Sequence, residues 1–96
     1  MNVYQRNGRD GKEVERVLKA LANRRRLAII WFLKEAKEAS VGEIAEEIKL
    51  SFRATSRHLN VLSGAGILDR EQRSLQIFYF LVSNLHPAVR TILTIG

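Results

Sequence analysis

Two serines eleven residues apart limit what this chain can build. Ser40 heads Ser40-Val41-Gly42-Glu43, the pattern of a capping box, in which the serine oxygen accepts the third helical amide and the glutamate reaches back to the serine N–H. A helix therefore begins at Val41. Its inner face is Val41, Ile44, Ala45 and Ile48, and Glu43, Glu46, Glu47 and Lys49 are left to water. That helix has little room, because Leu50-Ser51 interrupts it and Ser51 is a good cap for a second helix running to about Ala65. Two short helices joined by a tight polar turn form a helix-turn-helix unit.

The flanking segments fit around that unit. The Ser63-Gly64-Ala65-Gly66 stretch supplies a glycine stop, and residues 67–71 and 75–82 carry strand formers on either side of the polar Gln72-Arg73-Ser74 turn, which predicts a hairpin. Upstream, Val14, Val17, Leu18 and Leu21 recur at helical spacing and predict a helix over 12–23. Residues 27–33 are apolar without a break, as in a buried central helix from Arg24 to about Ala36, with Trp31 and Phe32 in the core or at a dimer interface. Leu85, Val89, Ile92 and Leu93 predict a closing helix over 84–95, with Pro87 in its first turn. Residues 1–11, rich in Asn and Gly, read as a flexible leader. The expected fold is mainly α with a small β-hairpin: a winged helix-turn-helix of order α-α-α-α-β-β-α over 12–96, a three-helical core with a wing.

Charge narrows the partner. The net charge is +6 over 96 residues, which points to a polyanion. Residues 1–34 carry nine basic and three acidic groups, residues 35–50 two and five, and residues 51–96 five and two, so an acidic belt separates two basic regions. The Arg24-Arg25-Arg26 run opposes the helix dipole, and a compensating anion is expected, either an acidic side chain or a DNA phosphate. The chain has no cysteine, which excludes disulfides, thiolate zinc sites and thiol redox chemistry and fits the cytoplasm. No apolar run approaches the length of a membrane span. Without a glycine-rich phosphate loop or a Ser/His/Asp set, neither enzymatic activity nor a cofactor is expected.

The helix after Ser51 separates its faces cleanly. Leu59 and Leu62, with Thr55 a turn back, point inward, and Arg53, Ser56, Arg57 and Asn60 lie opposite, with Phe52 at the amino end. Arginine can bridge guanine O6 and N7, asparagine can pair with adenine, serine adapts to either, and an apolar ring can meet a thymine methyl. Ser51, Thr55 and His58 are candidate phosphate contacts, and His58 reads as a packed or phosphate-contacting histidine rather than a metal ligand. Arg70 and Arg73 flank the wing turn, where cations reach the DNA backbone or minor groove. Pairing with Asp69 and Glu71 is the competing use of both.

Leu21-Ala22-Asn23-Arg24-Arg25-Arg26-Leu27, then residues 51–62 with their Ser56-Arg57-His58-Leu59 element, then Ala65-Gly66-Ile67-Leu68, together resemble the ArsR-type winged-helix repressors across about 60 residues, 21–81. The resemblance implies a wing at 69–76, operator DNA as partner, and a homodimer built from the first and last helices. Val14, Val17, Leu18, Leu21, Leu85, Val89, Ile92 and Leu93 would then be buried partly across its two-fold axis. Metal-sensing members carry a cysteine pair on the helix that here begins Val41-Gly42-Glu43-Ile44-Ala45, and a carboxylate and histidine set on the last helix. This chain has no cysteine and only His86 on its last helix, so no metal site is expected. Two other readings use the same features: a winged-helix module that binds protein, and a regulator with an effector pocket in the dimer crevice near Trp31 and Phe32.

Overall fold

Ser40 and Ser51 both act as caps in the computed structural model, which describes residues 2–6 and 9–96. The Ser40 hydroxyl accepts from the Glu43 N–H at 3.2 Å, and the Glu43 carboxylate accepts from the Ser40 N–H at 2.8 Å. Helix α3, Val41–Ile48, starts from that reciprocal pair. It ends at Lys49, whose φ of 57° turns the chain so that the Leu50 N–H reaches the Ala45 carbonyl. Ser51 accepts from the Ala54 N–H at 3.1 Å and opens α4, Phe52–Gly64. Gly66, at φ 74°, provides the left-handed stop, and the Ile67 N–H closes back on the Leu62 carbonyl.

Ahead of this unit lie α1, Gly11–Leu21, and α2, Arg24–Ala36. The first helix is shorter than its periodicity predicts because Asn23 is spent as a cap, its side chain accepting from the Arg25 and Arg26 N–H groups. The last helix, α5, Pro87–Ile95, starts later than its periodicity predicts. His86 caps it through Nδ1, which accepts from the Ala88 N–H, and Pro87 occupies the first position, where no N–H is needed. At the amino end, β1, Gln5–Arg6, pairs antiparallel with β2, Arg9–Asp10, and the Gly11 N–H donates to the Tyr4 carbonyl. The described part of the expected leader thus includes a pair of two-residue strands, whereas Met1, Asn7 and Gly8 of that leader lie outside the described residues.

The wing is one strand richer than the sequence shows. Ala39 and Ser40 form β3, which pairs with Tyr79 and Phe78 of β5, Gln76–Leu81. That strand also pairs with β4, Leu68–Arg73, giving the order β3-β5-β4. Beneath the sheet, Ile29, Ile30 and Leu33 of α2 meet Ile44, Leu59, Leu62, Ile67 and Val89 in a core that excludes water. At about 25 cal/mol per Å² of apolar surface, these side chains supply the main stabilisation. They also fix how α3 and α4 sit against α2. Val17, Leu21, Val89 and Leu93, expected partly at a dimer axis, are buried within the single chain. Their positions face the protomer's own core, and Leu18 is left 52% exposed, with Val14, Leu85 and Ile92 partly buried.

Candidate nucleic-acid interface

Helix α4 presents the polar face read from its sequence. Arg53, Arg57 and Asn60 are exposed, Ser56 is half-buried, and Phe52 stands 62% exposed at the amino end. The spacing of four and then three residues lines Arg53, Arg57 and Asn60 along one side of the helix. Leu59, Leu62 and Thr55 occupy the opposite side and are fully buried. Thr55 is therefore no phosphate contact: its side chain has no exposed surface, and its hydroxyl donates to the Ser51 carbonyl at 2.8 Å. Ser51 remains exposed at the helix start, with its oxygen accepting the Ala54 amide.

His58 turns toward α2, where a terminal Arg26 nitrogen lies 3.3 Å from its Nδ1. Guanidinium can only donate, so Nδ1 accepts and the ring proton sits on Nε2. Burial, followed by the charges of Arg26, Arg25 and Arg57, holds the imidazole below its ordinary value of 6.5. It is a neutral group among cations. Arg26 also donates from Nε to the Ala20 carbonyl at 2.6 Å and from its other terminal nitrogen to the Lys19 carbonyl at 3.2 Å. The anion expected near the arginine run is thus, for Arg26, the carbonyl end of α1 rather than a carboxylate. Arg24 and Arg25 stay exposed at the start of α2.

The wing holds its two arginines differently. Arg73 donates to both Glu38 carboxylate oxygens, from Nη1 and, at 2.9 Å, from Nη2, and from Nε to Glu71 at 2.6 Å. Its guanidinium also lies 4.7 Å from the centre of the Phe78 ring. These carboxylates hold its charge state, pushing its pKa further up. Arg73 therefore ties the wing to the α2–β3 loop, its charge shared between two carboxylates while its side chain stays 42% exposed. Sequence reading missed Glu38, which lies 35 residues away and has no local pattern to flag it. Arg70 is exposed, with its guanidinium 3.4 Å from the Tyr79 hydroxyl. At the tip, Ser74 takes φ 58° and Leu75 is 97% exposed. A shallow cavity of about 220 Å³ between wing and α4 is lined by Leu75, Ile77, Val41 and Phe52, among others.

Trp31 and Phe32, placed near an effector pocket in one sequence reading, are half-buried. The Trp31 indole N–H donates to the Ile92 carbonyl at 3.1 Å, and both rings pack against the core. Among the described residues, no three His, Cys, Asp or Glu side chains gather as a metal-binding group.

Known proteins share this arrangement. A family model described as a helix-turn-helix domain matches residues 21–71. The chain is 37% identical over 83 residues to the transcriptional activator HlyU of Vibrio cholerae, spanning 86% of this chain and 75% of that protein. The solved structure of reduced HlyU superposes with a TM-score of 0.75 at 33% identity, over 88% of this chain and 85% of that one. The cadmium resistance transcriptional regulatory protein CadC of Listeria innocua is 33% identical over 72 residues, and the chain spans 60% of its length. A homodimeric winged helix-turn-helix DNA-binding domain from Mycobacterium bovis, Mb0332, superposes with a TM-score of 0.74 at 27% identity, over 88% of this chain and 74% of that one. With the capped helix pair, the wing and these relatives in place, the chain belongs to the ArsR-type winged helix-turn-helix transcriptional regulators.

Proposed function

We propose that the chain is a sequence-specific double-stranded DNA-binding transcriptional regulator that acts as a homodimer. The exposed line of Arg53, Arg57 and Asn60 on α4 carries this reading. These side chains stand on a helix whose other face is locked into the core, so their direction is set before DNA arrives. Arg57 reads guanine, Asn60 reads adenine, and Phe52 and Ser56 adapt to the bases beside them. Arg70 supports the wing's approach to the backbone.

The dimer reading rests on a different surface. Val14 and Leu18 of α1 border an apolar groove of about 670 Å³ together with Val3, Tyr4 and Ala22. Val3 and Tyr4 are 79% and 76% exposed. A second copy of α1 and α5 would cover that surface, and Mb0332 is a relative whose winged helix is homodimeric. Two α4 helices would then enter successive major grooves about 34 Å apart on a near-palindromic site. Repression follows where that site overlaps a promoter, because a bound dimer excludes the polymerase there. No helix among the described residues is long and apolar enough to cross a membrane, and a regulator related to bacterial DNA-binding proteins would meet its DNA in the cytoplasm.

Selecting bound fragments from genomic DNA with the purified protein, followed by anisotropy titration, tests this reading. Operator duplex should bind far more tightly than scrambled duplex, and Arg57→Ala should weaken only the specific complex, by about 1 to 3 kcal/mol. Equal affinity for every duplex, or none, would overturn it.

A further inference from the structure

Helix α1 has three sides, of which the core and the proposed dimer use two. Val17, Ala20 and Leu21 are buried, and Val14 and Leu18 form the apolar edge. The third side carries Lys12, Arg16 and Lys19, spaced four and three residues apart and all exposed, with Lys19 at the boundary where it also lines the apolar groove. This side is not an isolated charged surface. It forms one wall of a groove of about 630 Å³ whose other wall is Asn60, Val61 and Gly64 of α4, with Arg26 at its end. The exposed line that begins at Arg53 and Arg57 therefore runs through Asn60 into a channel of cations. Among the described residues, Glu15 is the only carboxylate that lines the groove, and it already lies 3.9 Å from Lys19.

We infer that this groove is a second DNA-contact surface, which holds the phosphate backbone next to the major groove that α4 enters. The inference rests on the DNA-binding reading of α4 and extends the same interface. Seven residues of helix separate Lys12 from Lys19, about 10 Å along the axis. One DNA strand carries about three phosphates over that axial length. Apart from Asn60, which reads bases from α4, the uncharged side chains lining the groove, Ala20, Val61 and Ala65, have no hydrogen-bonding group to tell one base from another. The contact is thus one of charge and position, which raises affinity for all duplexes alike.

The test compares wild type with K12Q/R16Q/K19Q on the selected operator and on a scrambled duplex of equal length, over a range of salt. Glutamine keeps helix propensity and removes only charge. The expected variant keeps the wild-type melting temperature and oligomeric state, weakens on both duplexes by the same factor, and has a salt slope shallower by about two to three. Each lost phosphate contact removes roughly 0.9 from that slope. A wild-type slope in the variant overturns the inference, as does a loss confined to the operator. Should the triple variant melt early, R16Q alone carries the test, with a slope shallower by about one. Failure of wild type to bind any duplex would instead bring down the reading of α4 itself, so the two failures are distinguishable.

Discussion

Arg26 joins three elements through one guanidinium: the last carbonyls of α1, the start of α2, and the His58 ring on α4. The partial negative charge at the end of one helix offsets a cation at the unfavourable end of the next. The sequence exposes half of this. An arginine run at a helix start visibly needs compensation, but the partner is a backbone carbonyl, and backbone has no letter in a sequence. His58 inherits the consequence. Its folded pKa is lowered by burial and by Arg26, Arg25 and Arg57. Below about 6.5 the unfolded chain therefore holds a proton that the folded chain does not take up until lower pH. Stability rises with pH through that window and is level above it. Urea midpoints should fall as pH drops from about 7.5 to about 5.5, and His58→Gln should flatten the fall. A wild-type midpoint that rises on acidification would refute the assignment.

Among the elements, the helices were legible and the third strand was not. Ser40 and Ser51 announce their helices through side chains that bind the local backbone, so the signal lies within four residues. Strand β3 is two residues long, too short to show alternation, and its existence depends on Phe78 and Tyr79 some forty positions away. The same distance hides the Arg73–Glu38 fork, which clamps the wing against the α2–β3 loop. Arg73→Gln should speed amide hydrogen exchange in β4 and β5 while leaving the core helices protected. Adding Glu38→Gln to that variant should accelerate exchange little further, because both substitutions remove one shared interaction. Unchanged exchange in the wing of Arg73→Gln would show that the fork does not hold it.

For the whole molecule, the eight residues assigned from sequence to a dimer seam divide by depth. Periodicity marks apolar positions but does not say whether the covering surface belongs to the same chain or to another. Val17, Leu21, Val89 and Leu93 are covered from within, whereas Leu18 is half exposed. Leu18→Glu should therefore leave the protomer folded, shift sedimentation to the monomer, and reduce operator affinity to that of a half-site. A dimer that persists would place the two-fold axis elsewhere. Ser40 carries a further consequence, since it is both a residue of the strand paired to β5 and the cap that starts α3. The jaws of a calliper share a frame in this way: Ser40 joins the wing to α3, and the buried faces of α3 and α4 set the gap between the wing and α4. In the proposed dimer, a signal that changes DNA affinity would act on the angle between two callipers, not on either gap. Substitutions that abolish the response while sparing DNA binding should map along the α1–α5 seam, away from both jaws.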